Sequence, residues 1–188
     1  MADQKITALA ELTTVAAADM MAVVDDPSGT PVTKKATVEN VAYASAEYGS
    51  IYVDNGVATQ TVDNGTPALL TCFANDGVSS AGVTPTVADD KITVTNTGIY
   101  KVMFAASFSG DANITWYIAL HWNGAEQSQC EIQRKLGVGG DTGACAFSGL
   151  VDVTAGGTDF EVYIEPDGAA KDVIFDHANL SVLRIGLT

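Results

Sequence analysis

Turn punctuation constrains this chain more than any other feature. From Tyr48 onward, short apolar runs are separated at intervals of roughly ten residues by Asn-, Asp- and Gly-rich clusters, the spacing of an all-β sandwich or barrel. Val-Asp-Asn-Gly occurs at both Val53–Gly56 and Val62–Gly65, and Asn and Gly tolerate the positive φ that tight turns need. The two copies punctuate hairpins and do not set a solenoid period. Ile114–Trp122 runs into Asn123-Gly124, the strongest two-residue hairpin signal, with Cys130–Arg134 on the return strand. Further strands are predicted at Ile92–Val94, Ile99–Phe108, Ala144–Val153, Phe160–Ile164, Val173–Phe175 and Leu180–Ile185, with no long amphipathic helix between them.

Alternation assigns the faces. After Gly98, the side chains of Tyr100, Val102, Phe104, Ala106 and Phe108 point one way, and those of Ile99, Lys101, Met103, Ala105 and Ser107 the other. The first set reads as core. The second is almost uncharged, and Ala144, Ala146 and Ser148 repeat that character opposite Cys145, Phe147 and Gly149. A strand apolar on both faces is usually covered on both, so a neighbouring subunit is the expected second cover. Trp116, Ile118, Leu120 and Trp122 share a face opposite Tyr117, Ala119 and His121. Aromatic rings can stack on sugars, but interleaved Ile and Leu favour core packing for the Trp set.

Residues 1–47 read differently. Ile6, Leu9 and Leu12 recur at three-residue spacing. An Ala-rich stretch then leads to Met20-Met21-Ala22-Val23-Val24, closed by the turn cluster Asp25-Asp26-Pro27-Ser28-Gly29. Thr33–Val41 follows as a short strand leading into a short helix. These apolar residues are too few for a core of their own, so the segment is expected to pack on its own body, a sister subunit or another protein. The division is an arm at 1–47 and a β domain at 48–188.

A net charge of −14, from 23 acidic and 9 basic residues, limits the partners. No Lys or Arg occurs between Lys35 and Lys91. Nucleic acid requires clustered cations, and an anionic leaflet would repel this chain, so neither is an expected partner. An acidic balance also keeps an abundant surface protein from self-associating. No apolar run reaches membrane-spanning length, and Met1-Ala2-Asp3-Gln4-Lys5 lacks the layout of a secretory signal. Cys72, Cys130 and Cys145 cannot all pair within one chain, and their apolar settings read as small buried hydrophobes made in a reducing cytosol. No CxxC or nearby His supports metal ligation by them.

Catalytic chemistry finds little footing. His121 lies mid-strand, and Asp176-His177 reads as a turn before the last strand, so neither completes a nucleophile triad in sequence. Gly137-Val138-Gly139-Gly140-Asp141 lacks the Lys and Ser/Thr of a phosphate loop. Asp25-Asp26 and Asp89-Asp90 fall in turns, where Asp bonds its own backbone. Asp-rich loops of a sandwich can hold calcium, but no EF-hand spacing appears. Nothing selects a glycosidase pair from the carboxylates. The expectation is a protein with no catalytic, cofactor or metal site.

Several of these residues carry a likeness. Gly98-Ile99-Tyr100 with its apolar strand, Asn123-Gly124, Ser148-Gly149-Leu150 leading to Gly156-Gly157, and Leu180-Ser181-Val182 together resemble the trimeric jelly roll of tumour necrosis factor and the complement globular head, over 48–188. The opening Lys5-Ile6-Thr7-Ala8-Leu9, through Asp25 to Thr33-Lys34-Lys35, resembles the N-terminal attachment segment of tailed-phage virion proteins such as head fibres, decoration proteins and tail fibres. Tyr48-Gly49-Ser50-Ile51-Tyr52-Val53 resembles the start of the jelly roll in such proteins.

The resemblance implies an all-β antiparallel jelly-roll sandwich, preceded by a small attachment segment. It implies a homotrimer on the virion surface, made in the cytoplasm of a bacterial host. Its partner would be the major capsid protein or another virion protein. Attachment would run through Ile6, Leu9, Leu12, Met20, Val23 and Val24. Lys101, Met103, Ala105, Ala144, Ala146, Ser148, Ser181 and Leu183 would line the threefold axis, where three Lys101 copies would repel unless acidic groups answer them. Capsid decoration is the first reading. The second is a receptor-binding module, with Gly137–Gly143 or Asp76–Gly82 meeting a host surface glycan or protein.

Overall fold

Strand β9 (Gly98–Gly110) organises the domain, because its alternation is unbroken: Tyr100, Val102, Phe104, Ala106 and Phe108 are all buried. The computed structural model describes residues 20–25, 32–37, 46–138 and 141–186. The chain divides into two units, Met1–Ala46 and Glu47–Thr188. In the first, β1 (Met20–Asp25) and β2 (Val32–Thr37) form an antiparallel hairpin in which Val23 faces Lys34 and Val24 faces Thr33 in register. Ile6, Leu9, Leu12 and the predicted short helix after Thr37 lie outside the described residues.

The second unit is built from β3 (Tyr48–Asp54), β4 (Thr59–Val62), β5 (Ala68–Leu69), β6 (Asn75–Ser79), β7 (Val83–Thr86) and β8 (Lys91–Val94). The longer strands β9, β10 (Thr115–Trp122), β11 (Ala125–Lys135), β12 (Thr142–Val153), β13 (Thr158–Pro166) and β14 (Lys171–Gly186) follow. One sheet runs β12-β9-β14-β3-β6 with β4 beside β14. The other runs β11-β10-β13-β8-β7 with β5 beside β13, and every pairing is antiparallel. From β8 to β14 the chain passes between the two sheets at every connection except the β10–β11 hairpin. This is a jelly-roll sandwich, as the turn spacing implies.

The core lies between the sheets. Phe104 stacks on Phe147 at 5.3 Å, Phe108 on Phe175 at 5.1 Å, and Tyr100 meets Phe160 at 6.0 Å. Such pairs add about 0.5–1.5 kcal/mol each beyond the area they bury. Trp116, Ile118 and Leu120 are fully buried, which places the Trp set in the core. Asn123 and Gly124 both take positive φ (48° and 77°), the type I′ geometry that matches strand twist.

Two predicted elements need correction. Val173–Phe175 and Leu180–Ile185 are one strand, β14, and Asp176-His177 lies within it rather than in a turn. A bulge between Phe175 and His177 moves the buried positions from odd (Val173, Phe175) to even (Ala178, Leu180, Val182), which imitates a break in the pattern. Asp76–Gly82 is not a free loop either, since Asn75–Ser79 forms β6 beside β3.

Candidate assembly face

Register along the first sheet turns its outward residues into a grid. Leu150, Lys101, Leu183 and Tyr48 form one row across β12, β9, β14 and β3. Ser148, Met103, Ser181 and Ser50 form the next, and Ala146, Ala105, Asn179 and Tyr52 the third. Ala144, Ser107, His177 and Asp54 complete it. Every residue assigned from the sequence to the threefold axis therefore shares this one face.

The middle rows of the face carry mostly Ala and Ser, with Met103, Asn179 and Tyr52 among them, and the other large apolar residues gather toward one end. Leu150, Ile185, Tyr48, Leu183 and Tyr52 are exposed by 56, 52, 43, 37 and 37%, a concentration of large apolar side chains that a solvated sheet face does not need. Lys101 sits between Leu150 and Leu183 in the ladder. Tyr48, Tyr52, Leu150 and Ile185 were missed from the sequence. The alternation of Tyr48-Gly49-Ser50-Ile51-Tyr52-Val53 held the signal for the two tyrosines. Of the attachment residues, Met20 is 63% exposed at the start of β1, and Val23 and Val24 lie in the same strand.

The fourth row also brings together the residue types of a nucleophile triad. His177 Nε2 lies 2.9 Å from Asp54 Oδ1, and its Nδ1 lies 3.4 Å from Ser107 Oγ. The imidazole and carboxylate are 56 and 62% exposed. Water competes for both groups at that exposure, and the long Ser–His contact is a weak hydrogen bond, so we assign the row no catalytic role. Among the described residues no group of three or more His, Cys, Asp or Glu is placed to hold a metal ion. No helix among them is long and apolar enough to cross a membrane.

One end of the face is locked by a buried polar network. Glu47 accepts hydrogen bonds from Tyr100 Oη at 2.7 Å, Asn96 Nδ2 at 2.8 Å and Arg184 Nη1 at 2.6 Å. Arg184 also donates through Nη2 to Thr97 O, and its backbone N–H bonds Glu47 O at 2.8 Å. Burial first, then the Glu47 hydrogen bond and negative charge, push the Tyr100 phenol well above its ordinary range. Gly98, at φ +148°, leaves the room this guanidinium needs: a Cβ there would meet Arg184 Nε at 2.6 Å. The network ties the first residue of the domain to β9 and to the end of β14, fixing how the Tyr48 and Leu183 row is presented.

The three cysteines are free. Cys130 is fully buried, and Cys72 and Cys145 pack partly buried against the core. Burial raises all three thiols, that of Cys145 to about 11, with Arg134 opposing the rise.

No family model and no curated protein sequence matches the chain. Solved structures do. Eiger TNF from S. frugiperda is 11% identical over 76% of this chain and 93% of that one, with a TM-score of 0.52. Murine APRIL is 13% identical over 74% of this chain and 99% of that one, at 0.51. The globular domain of zebrafish complement 1qA protein is 13% identical over 76% and 98%, at 0.50. The chain thus has the jelly-roll fold found in tumour necrosis factor and complement heads.

Proposed function

We propose that this protein is a non-catalytic structural subunit of a tailed-phage virion, assembled as a homotrimer through the outer face of the β9 sheet and held to the capsid by its N-terminal arm. The observation that carries the reading is the grid itself: small residues in the middle, five exposed large apolar side chains, and few charges in a chain of net charge −14. A second copy is the fitting cover, since two such acidic chains can approach only through a face from which charge has been removed.

Size sets how much more the interface needs. Four strands at ~4.8 Å and six residues at ~3.4 Å span about 19 by 20 Å, or roughly 400 Å² of plane. A stable contact buries ~800 Å² per partner, so strand edges and loops of the neighbouring copies must join the interface. A closed threefold oligomer can sit at capsid threefold positions, and three arms on one trimer attach more strongly through effective concentration.

Copy number per purified particle, by quantitative mass spectrometry against the major capsid protein, tests the proposal. Hundreds of copies fit capsid decoration. A few to a few tens favour the receptor-binding reading at a vertex or tail, and absence from particles refutes the virion assignment.

A further inference from the structure

The outer face of the second sheet carries a hollow that the assembly reading does not use. Ala119 is its floor. Along β10 it stands between Tyr117 and His121, and across the ladder between Glu131 and Tyr163. The small side chain leaves a hollow of about 100 Å³, lined also by Glu126 and Glu165. A single water needs ~10–15 Å³ on this measure, so the hollow holds a group of several heavy atoms.

Its chemistry is one-sided. Glu126, Glu131 and Glu165 line it, no Lys or Arg does, and Glu161 stands beside His121 in the next row. Burial first, then the neighbouring Asp159, raises the Glu161 carboxyl. The nearest ammonium in that row, Lys91, is held by Asp159 at 3.2 Å and Asp89 at 3.6 Å.

His121 supplies an independent sign. Its ring stacks on Tyr163 at 3.9 Å and 16°, the residue is 8% exposed, and both ring nitrogens are buried with no hydrogen-bond partner. Buried polar atoms are almost always partnered, so these nitrogens call for a hydrogen-bonding group, and His121 is one of the residues that line the hollow.

We infer that the hollow over Ala119 is a binding site for a guanidinium group. A planar cation with a fork of N–H donors fits these features: carboxylates to accept in pairs, aromatic side chains in the lining, and an unpartnered imidazole nitrogen to accept one more bond. The group is carried either by an arginine side chain on a partner protein or by a free small cation, and the test separates the two.

The chain has only two histidines, so ring signals in ¹³C-histidine NMR give a site and an internal control. Titration with N-acetyl-arginine methylamide at constant ionic strength should shift the His121 signal saturably and leave His177 in place. The neutral citrulline analogue should have no effect. Glu131→Gln and Ala119→Leu should each weaken binding at least tenfold, the second by filling the hollow at a position of the outer face. Methylguanidinium, which carries the same single charge, binding more tightly than the blocked arginine identifies a free cation as the source, and the reverse identifies a protein side chain. The inference is overturned if His121 and His177 shift together, if citrulline acts equally, if a methyl glycoside shifts His121 where arginine does not, or if nothing moves at tens of millimolar ligand. None of these results bears on the trimer or on virion copy number.

Discussion

Replacing Glu47 by alanine removes the acceptor on which Tyr100, Asn96 and Arg184 converge. Three contacts remain available after the change. The single phenol proton of Tyr100 can turn to Asn96 O at 3.0 Å, Arg184 Nη2 still donates to Thr97 O, and the Arg184 backbone N–H still donates to Glu47 O. The phenol therefore stays satisfied, and the cost falls on the guanidinium, whose side chain is only 13% exposed beside a carboxylate 9% exposed. Removing one partner of a buried ion pair costs about 3–5 kcal/mol. The surviving Thr97 bond and residual solvent contact place this case near the lower end, at ~3 kcal/mol, or about 6–12 °C in Tm for a domain of this size. Urea unfolding followed by tryptophan fluorescence at one protein concentration measures it. Glu47→Ala, Arg184→Met and the double variant complete a cycle, in which the double variant should cost ~2 kcal/mol less than the sum of the singles. A single-variant loss under ~1 kcal/mol, or additivity within ~0.5 kcal/mol, refutes the claim that this pair is buried and coupled.

Other expectations are as direct. Leu183→Lys puts a second ammonium beside Lys101 in the apolar row while leaving the core intact; light scattering should show one chain mass instead of three with an unchanged far-UV spectrum, and a trimer that persists rules out this interface. Gly149→Val drives a side chain into Cys130 Sγ between β12 and β11, so overpacking should cost about 1–3 kcal/mol in urea; no loss would mean the two strands are not in contact there. The Cys145 thiol, raised to about 11, should alkylate with iodoacetamide at pH 8 roughly two-hundredfold more slowly than a free thiol of pKa ~8.5, and a rate equal to that in urea would contradict its burial.

Asp90 and Glu161 are both raised, chiefly by burial. In the window from the ordinary carboxylate value, ~4, up to their raised values, the folded state binds more protons than the unfolded one. The stability these two groups contribute should therefore rise as pH falls through their raised values toward the ordinary carboxylate value, and Glu161→Gln should flatten that part of the stability–pH curve; a variant curve parallel to the parent's refutes the assignment.

The sequence by itself determined the all-β class and most strands, because alternation and Asn/Gly turns are local: β9, β10 and β12 follow from period two, and the β10–β11 turn from Asn123-Gly124. It also picked out one side of β9 as carrying a single charge, Lys101. Only the tertiary structure decided which residues from other strands join that side. Tyr48 and Tyr52 become neighbours of Leu183 and Asn179 through the β3–β14 register, and register is a property of pairing, not of either strand alone. The bulge at Asp176 changes facing parity without changing composition, so one strand read as two. The hollow at Ala119 and the Glu47–Arg184 pair join residues far apart in sequence, and no local pattern encodes such contacts. They exist because strand pairing brings those residues side by side.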